Sequence, residues 1–131
     1  MPVQLNHTIV WCHDKQKSSA FLTEILGLPM PQPFYHFMVV ALDNDVSLDF
    51  MEKIGDVAVQ HYAFLISEPE FDAAFARISE KGLTYWADPQ RLQPGEINRN
   101  DGGRGCYFED PNGHVLEILT RPYGSGDDAS A

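Results

Sequence analysis

Four side chains in this sequence are of types that hold metal ions, and they recur at matching places. Glu117 stands inside the apolar run Val115-Leu-Glu-Ile-Leu-Thr120. A carboxylate among Leu116, Ile118 and Leu119 needs a compensating charge, and a metal ion is one such partner. His7 and His61 each lie in a strand-like run rich in β-branched or aromatic residues. Asp49, in Val46-Ser-Leu-Asp-Phe50, takes the place that Glu117 takes in His114-Val-Leu-Glu-Ile118. Two neutral imidazoles and a carboxylate form the facial set that holds Fe(II) in oxygenases and leaves positions open for substrate and dioxygen. The same donors also accept Mn, Ni, Co or Zn.

The elements that must position these groups can be read in chain order. Residues 3–12 are β-branched and aromatic and predict a strand. Asp14 is a candidate N-cap. Ala20, Phe21, Ile25 and Leu28 then recur at helical spacing over a helix from Lys15 to Leu26, which Gly27 closes. Pro29, Pro31 and Pro33 exclude a helix beyond it. Residues 34–42 and 46–53 read as a hairpin around the turn Asp43-Asn-Asp45. The pattern then starts again. Residues 60–67 predict a strand, and Glu68-Pro-Glu70 opens a helix that ends at Gly82. A short strand at 83–87 follows, then a polar loop at 88–103 rich in Gly and Pro. Two closing strands at 106–109 and 115–120 flank the turn Asp110-Pro-Asn-Gly113. Residues 124–131 predict a disordered tail.

The chain is therefore strand–helix–strands, twice, and the fold class is α+β. Each half is too small to be stable alone, so the two must share a core. Strand alternation places His7, Ile9 and Trp11 on one face, as it does Ser47, Asp49 and Met51; His61, Ala63 and Leu65; and Val115, Glu117 and Leu119. The opposite faces are apolar and predict where the helices pack. A curved sheet lined on its helix-free face by His, His, Glu, Asp and apolar residues is a ligand pocket in outline.

Bulk properties narrow the function. The 131 residues suit one compact domain. A net charge of −10 excludes a phosphate backbone or an anionic membrane as the expected partner. No apolar run approaches the roughly 18 residues of a membrane span, and no basic-then-apolar start suggests export, so the expected location is cytoplasmic. Cys12 and Cys106 lack metal-type spacing and predict buried, reduced thiols. His13, His36 and His114 are expected to serve no site. Asp43 and Asp45 belong to a turn, since a Ca²⁺ loop needs spaced oxygen ligands over about a dozen residues.

The repeated βαβββ pattern, Asn6-His7, the run His61-Tyr-Ala-Phe64 and the run Phe108-Glu-Asp-Pro-Asn-Gly-His-Val-Leu-Glu-Ile118 resemble the vicinal oxygen chelate superfamily. That group includes glyoxalase I, extradiol dioxygenases, fosfomycin-resistance thiol transferases and bleomycin-binding proteins. The resemblance covers residues 3–123. It implies one domain at 1–123 of two βαβββ modules, about 3–53 and 60–121, forming a cupped mixed sheet with helices on the convex face, commonly as a homodimer. It implies His7, His61 and Glu117 as ligands of a divalent metal, Fe(II) favoured. The fourth position falls on Asp49, one methylene shorter than Glu, which then acts as a base or as a substrate hydrogen-bond acceptor. The 88–105 loop and the ending Thr120-Arg-Pro-Tyr-Gly124 are similar to the branch around the chartreusin-pathway oxygenase, which rearranges a polycyclic aromatic polyketide.

The expected activity is oxygenation of an aromatic, phenol-bearing small molecule, with ring cleavage or rearrangement. Ile9, Trp11, Met51, Ala63 and Leu65 would flank the rings, with Tyr107 beside them. Arg91 and Arg104, with Arg99 in the same loop, are available for an anionic group. The alternatives are a glyoxalase or fosfomycin-type thiol enzyme using the same ion as a Lewis acid, and a non-catalytic protein that sequesters an aromatic drug.

Overall fold

The computed structural model describes residues 2–126. The chain forms two compact units, Met1–Ala58 and Val59–Ala131. Each holds one four-stranded mixed sheet and one helix, and the strand order is the same in both.

In the first unit, β1 (His7–Cys12) leads into α1 (Lys15–Leu26), followed by β2 (Gln32–Phe34), β3 (Phe37–Ala41) and β4 (Ser47–Glu52). The sheet order is β1-β4-β3-β2, with β1 parallel to β4 and the other pairs antiparallel. α1 starts where Asp14 accepts a hydrogen bond from the Lys17 amide and ends at Gly27, whose φ of 68° needs a residue without Cβ. Residues 34–42, read as one strand, are divided. Tyr35 at φ 51° turns the chain between Phe34 and Phe37. Pro33 is tolerated because β2 is an edge strand. Val10, Cys12, Leu22, Ile25, Val40, Leu48 and Phe50 are buried on the helix side. Strand β1 begins at His7 rather than residue 3, and Val3 and Leu5 are exposed.

The second unit repeats the plan with β5 (His61–Leu65), α2 (Glu68–Glu80), β6 (Tyr85–Trp86), β7 (Gly105–Glu109) and β8 (Val115–Leu119), in the order β5-β8-β7-β6. β5 runs parallel to β8. α2 opens on a capping box. Ser67 accepts from the Glu70 amide, and the Glu70 carboxylate accepts from the Ser67 amide at 3.0 Å. Both Glu68 and Glu70 have carboxyl groups held below the ordinary range. Hydrogen bonds from Thr120 and Arg104 do this for Glu68, and those from Ser67 for Glu70. Phe64, Phe71, Ala74, Ile78, Phe108, Leu116 and Ile118 are buried. The turn that joins β2 to β3 is replaced here by the long 87–104 connection, which contains a short 3₁₀ turn at Asn100–Gly102. Its course is fixed. Asp88 accepts from the amides of Leu92 and Gln93, Asn98 Nδ2 donates to the Ala87 carbonyl at 2.9 Å, and Asn98 bridges to Gly105.

The shared register places the repeat at residue level. His7 lies opposite Ser47 and Asp49 opposite Ile9. His61 lies opposite Val115 and Glu117 opposite Ala63. In each sheet the acid therefore stands two residues along its strand from the histidine's partner, on the same face. Among the described residues no helix is long and apolar enough to cross a membrane.

Candidate active site

In the second unit His61 and Glu117 meet. His61 Nε2 lies 3.0 Å from Glu117 Oε1, and His61 Nδ1 lies 3.2 Å from the Val115 carbonyl. Both ring nitrogens thus face acceptors. A neutral imidazole has one N–H, so it satisfies only one of them. A proton or a metal cation between Nε2 and the carboxylate satisfies the second. With Nδ1–H donating to the carbonyl, Nε2 is turned toward the carboxylate as metal-binding histidines require. His61 Nε2 and Glu117 Oε1 are donors of types that bind a divalent ion and supply two of its ligands. The His61 side chain is 48% exposed and that of Glu117 13%, so the pair is reachable from one side.

Tyr107 supports both. It lies opposite Glu117 in the β7–β8 register, and its ring stacks 5.8 Å from that of His61. Its phenol hydrogen-bonds Glu117. Burial first, and then the Glu117 charge, push its pKa up to about 12, so it stays a donor. The Cys106 thiol, fully buried, is likewise pushed up to about 12 by burial and by Glu117, which removes it as a nucleophile.

In the first unit His7 Nδ1 lies 2.7 Å from Asn6 Oδ1. Donation to that amide oxygen puts the proton on Nδ1 and leaves Nε2 with a free lone pair for a metal. Asp49 is buried and accepts from the Ser47 hydroxyl at 3.2 Å. His7, Ile9, Phe34, Phe37, Val39 and Asp49 line a cavity of 540 Å³, mostly apolar and large enough for fused rings. Trp11 and Met51 are register partners on the same face as Asp49. Ala63 and Leu65 are exposed on the His61 face of β5.

Two expected substrate residues are occupied elsewhere. Arg104 pairs with Glu68 at 2.7 Å and Asp72 at 2.9 Å, and its guanidinium lies 4.5 Å over the Phe71 ring. It ties β7 to the start of α2. Arg91 pairs with Glu109 at 2.7 Å and covers Trp86. Neither lines the cavity at His61 and Glu117. That cavity, 380 Å³, is lined instead by Asn98, Asn100, Asp101, Leu119, Arg121 and Tyr123, together with Tyr107. Sequence reasoning did not single out Asn98, Asn100, Asp101, Arg121 or Tyr123, whereas it placed Leu119 on the Glu117 face and named Tyr107. Arg121 was within its reach, because it continues the two-residue spacing of Glu117 and Leu119. Of the expected disordered tail, 127–131 lies outside the described residues, while the Gly124 and Gly126 amides donate to Asp101. His114, expected to serve no site, is buried, with Nδ1 accepting from the Gln60 amide at 2.9 Å. Cys12 and Cys106 are buried and unbridged, also as expected.

The sequence signature of the Glyoxalase/Bleomycin resistance protein/Dioxygenase superfamily matches residues 4–118, and the chain belongs to that superfamily. It is an enzyme of the vicinal oxygen chelate type. Within the superfamily it is similar to two solved structures, the oxidases ChaP-H1 and ChaP-H2, each 63% identical. Their TM-scores are 0.92 and 0.94, covering 94% and 96% of this chain and 99% of each of theirs. The glutathione transferase FosA of Serratia marcescens is 32% identical over 120 residues, 87% of this chain and 78% of its own.

Proposed function

We propose that this enzyme is a divalent-metal-dependent oxygenase, Fe(II) favoured, that cleaves or rearranges a ring of a phenolic, polyketide-like aromatic. The observation that carries this reading is 63% identity over nearly the whole chain to two proteins named as oxidases. His7, His61 and Glu117 are the ligands. Among the described residues of one chain, no group of three or more His, Cys, Asp and Glu side chains is placed to share an ion. A homodimer completes the set in this reading. When bound, the ion supplies Lewis acidity and, as iron, one-electron chemistry.

The chain's own groups do the rest. Asp49, oriented by the Ser47 hydroxyl, accepts the substrate's phenolic proton. Ile9, Phe34, Phe37 and Val39 flank flat rings and exclude water from Asp49. Tyr107 holds Glu117 in place through its phenol O–H. The test is oxygen uptake by Fe(II)-loaded protein with a panel of polycyclic phenols. Uptake is expected with at least one, and Asp49→Asn lowers turnover by about 10² to 10⁴ at unchanged metal content. A second reading, thiol transfer on the same ligands, draws on the 32% identity to a glutathione transferase. Glutathione conjugation without oxygen uptake decides for it.

A further inference from the structure

We infer that Arg121 is a specificity-determining residue, and that it takes a carboxylate at the far end of an extended aromatic substrate whose reacting end lies at His61 and Glu117. The assignment of the reacting end rests on the function proposed above. The anion site itself does not.

Arg121 lines the same cavity as His61, Tyr107 and Glu117. Glu117 and Leu119 lie on β8, and Arg121 follows two residues beyond its end. Four residues at an extended rise of about 3.3 Å each put the Arg121 backbone at most roughly 13 Å from that of Glu117. The gap suits a fused-ring substrate better than a single ring.

Among the described residues, the two acids that line this cavity with Arg121 have other hydrogen-bond partners. The Asp101 carboxylate accepts from the Gly124 and Gly126 amides, both at 3.0 Å. Glu117 is held by His61 and Tyr107. Arg91 and Arg104 have acids at 2.7 Å. Among the described residues the Arg121 guanidinium makes one hydrogen bond, a long one of 3.4 Å from Nη2 to the Ser125 carbonyl. Its remaining donors suit a planar carboxylate. In a chain with net charge −10 an anion is repelled at long range, so a site for one needs a local cation.

The segment that carries Arg121 is also built into place. Asp101, at φ 57°, clamps residues 124 and 126. A Cβ on Gly126 would stand 2.5 Å from Asp101 Cα, and one on Gly103 would stand 2.6 Å from Arg121 Cγ. Both glycines let the chain come close enough to set the arginine stem against the loop. Asn98, Asn100 and Tyr123 add polar groups to the same wall.

The test is binding to full-length, metal-free protein, read by calorimetry, of 6-hydroxy-2-naphthoate and of 2-naphthol. These probes differ only in the carboxylate. Wild type is expected to bind the carboxylate probe about tenfold or more tighter. Arg121→Gln removes that preference and leaves 2-naphthol binding unchanged, while Arg121→Lys keeps part of it. Asp101→Ala, with Arg121 intact, lowers the preference and speeds amide exchange at Gly124 and Gly126. Equal binding of the two probes, no binding of either, or an undiminished preference in Arg121→Gln overturns the inference. Metal content and oxygen uptake play no part in this comparison, so failure of the oxygenase reading shows separately.

Discussion

Tyr107 shows how much one side chain contributes to the site. Its ring stacks on one proposed ligand, His61, and its hydroxyl bonds another, Glu117. Partners of this kind orient metal ligands, and their loss commonly costs 10- to 100-fold in metal affinity. Tyr107→Phe keeps the ring and removes the hydroxyl. It is expected to weaken metal binding by about 10-fold while the far-ultraviolet circular dichroism stays unchanged. A competition titration against a chelator measures this. Glu117 stood out in the sequence because a carboxylate in an apolar strand conflicts with its surroundings, and the structure sets it 3.0 Å from His61. Arginines carry no such signal. Arg91 and Arg104 were chosen for their place in a polar loop, and each found an acid through contacts distant in sequence. Arg121, passed over, lines the cavity.

The elements themselves follow from local chemistry where caps and periodicity agree. α1 runs from Lys15 to Leu26 with the expected Asp14 and Gly27 ends, and α2 starts at Glu68 behind Ser67. Strand ends were less legible, because a strand stops where its neighbour stops. Residues 3–6 have strand composition but lie before the β1–β4 pairing, which begins at His7. Residues 88–103 were read as a polar loop, since the bridges between Trp86 and Pro94 and between Asn98 and Gly105 leave no periodic trace. Two predictions belong to these elements. Gly103→Ala would put a Cβ 2.5 Å from Thr120 Oγ1. It should destabilise the protein by about 1–3 kcal/mol, measured by denaturant unfolding. The second concerns acid. The Glu68 and Glu70 carboxyls are lowered in the folded chain, so their stabilisation of α2 is present above the unfolded value and is lost as pH falls through the folded one. The protection of amides in the first turn of α2, relative to their intrinsic exchange rates, should fall below pH 4.5, and Ser67→Ala should show less of this fall.

At the scale of the whole molecule, duplication explains the division of labour. Each unit places a histidine and an acid on the same face of a sheet, in the same register. The second keeps Glu and brings it to 3.0 Å from its histidine, whereas the first has the shorter Asp beside a Ser hydroxyl. In the function proposed above, the second unit would hold the cation and the first would receive the proton, with His7 supplying the remaining nitrogen across the proposed dimer. The central claim is the His7, His61, Glu117 ligand set, and metal stoichiometry tests it most directly. Protein purified without oxygen and reconstituted with Fe(II) should hold about one iron per chain, the ratio that a three-ligand site with open positions implies. His7→Ala, His61→Ala and Glu117→Ala should each lose it, while Asp49→Ala keeps it. Full occupancy in any of the three ligand variants, or loss in Asp49→Ala, would contradict the assignment.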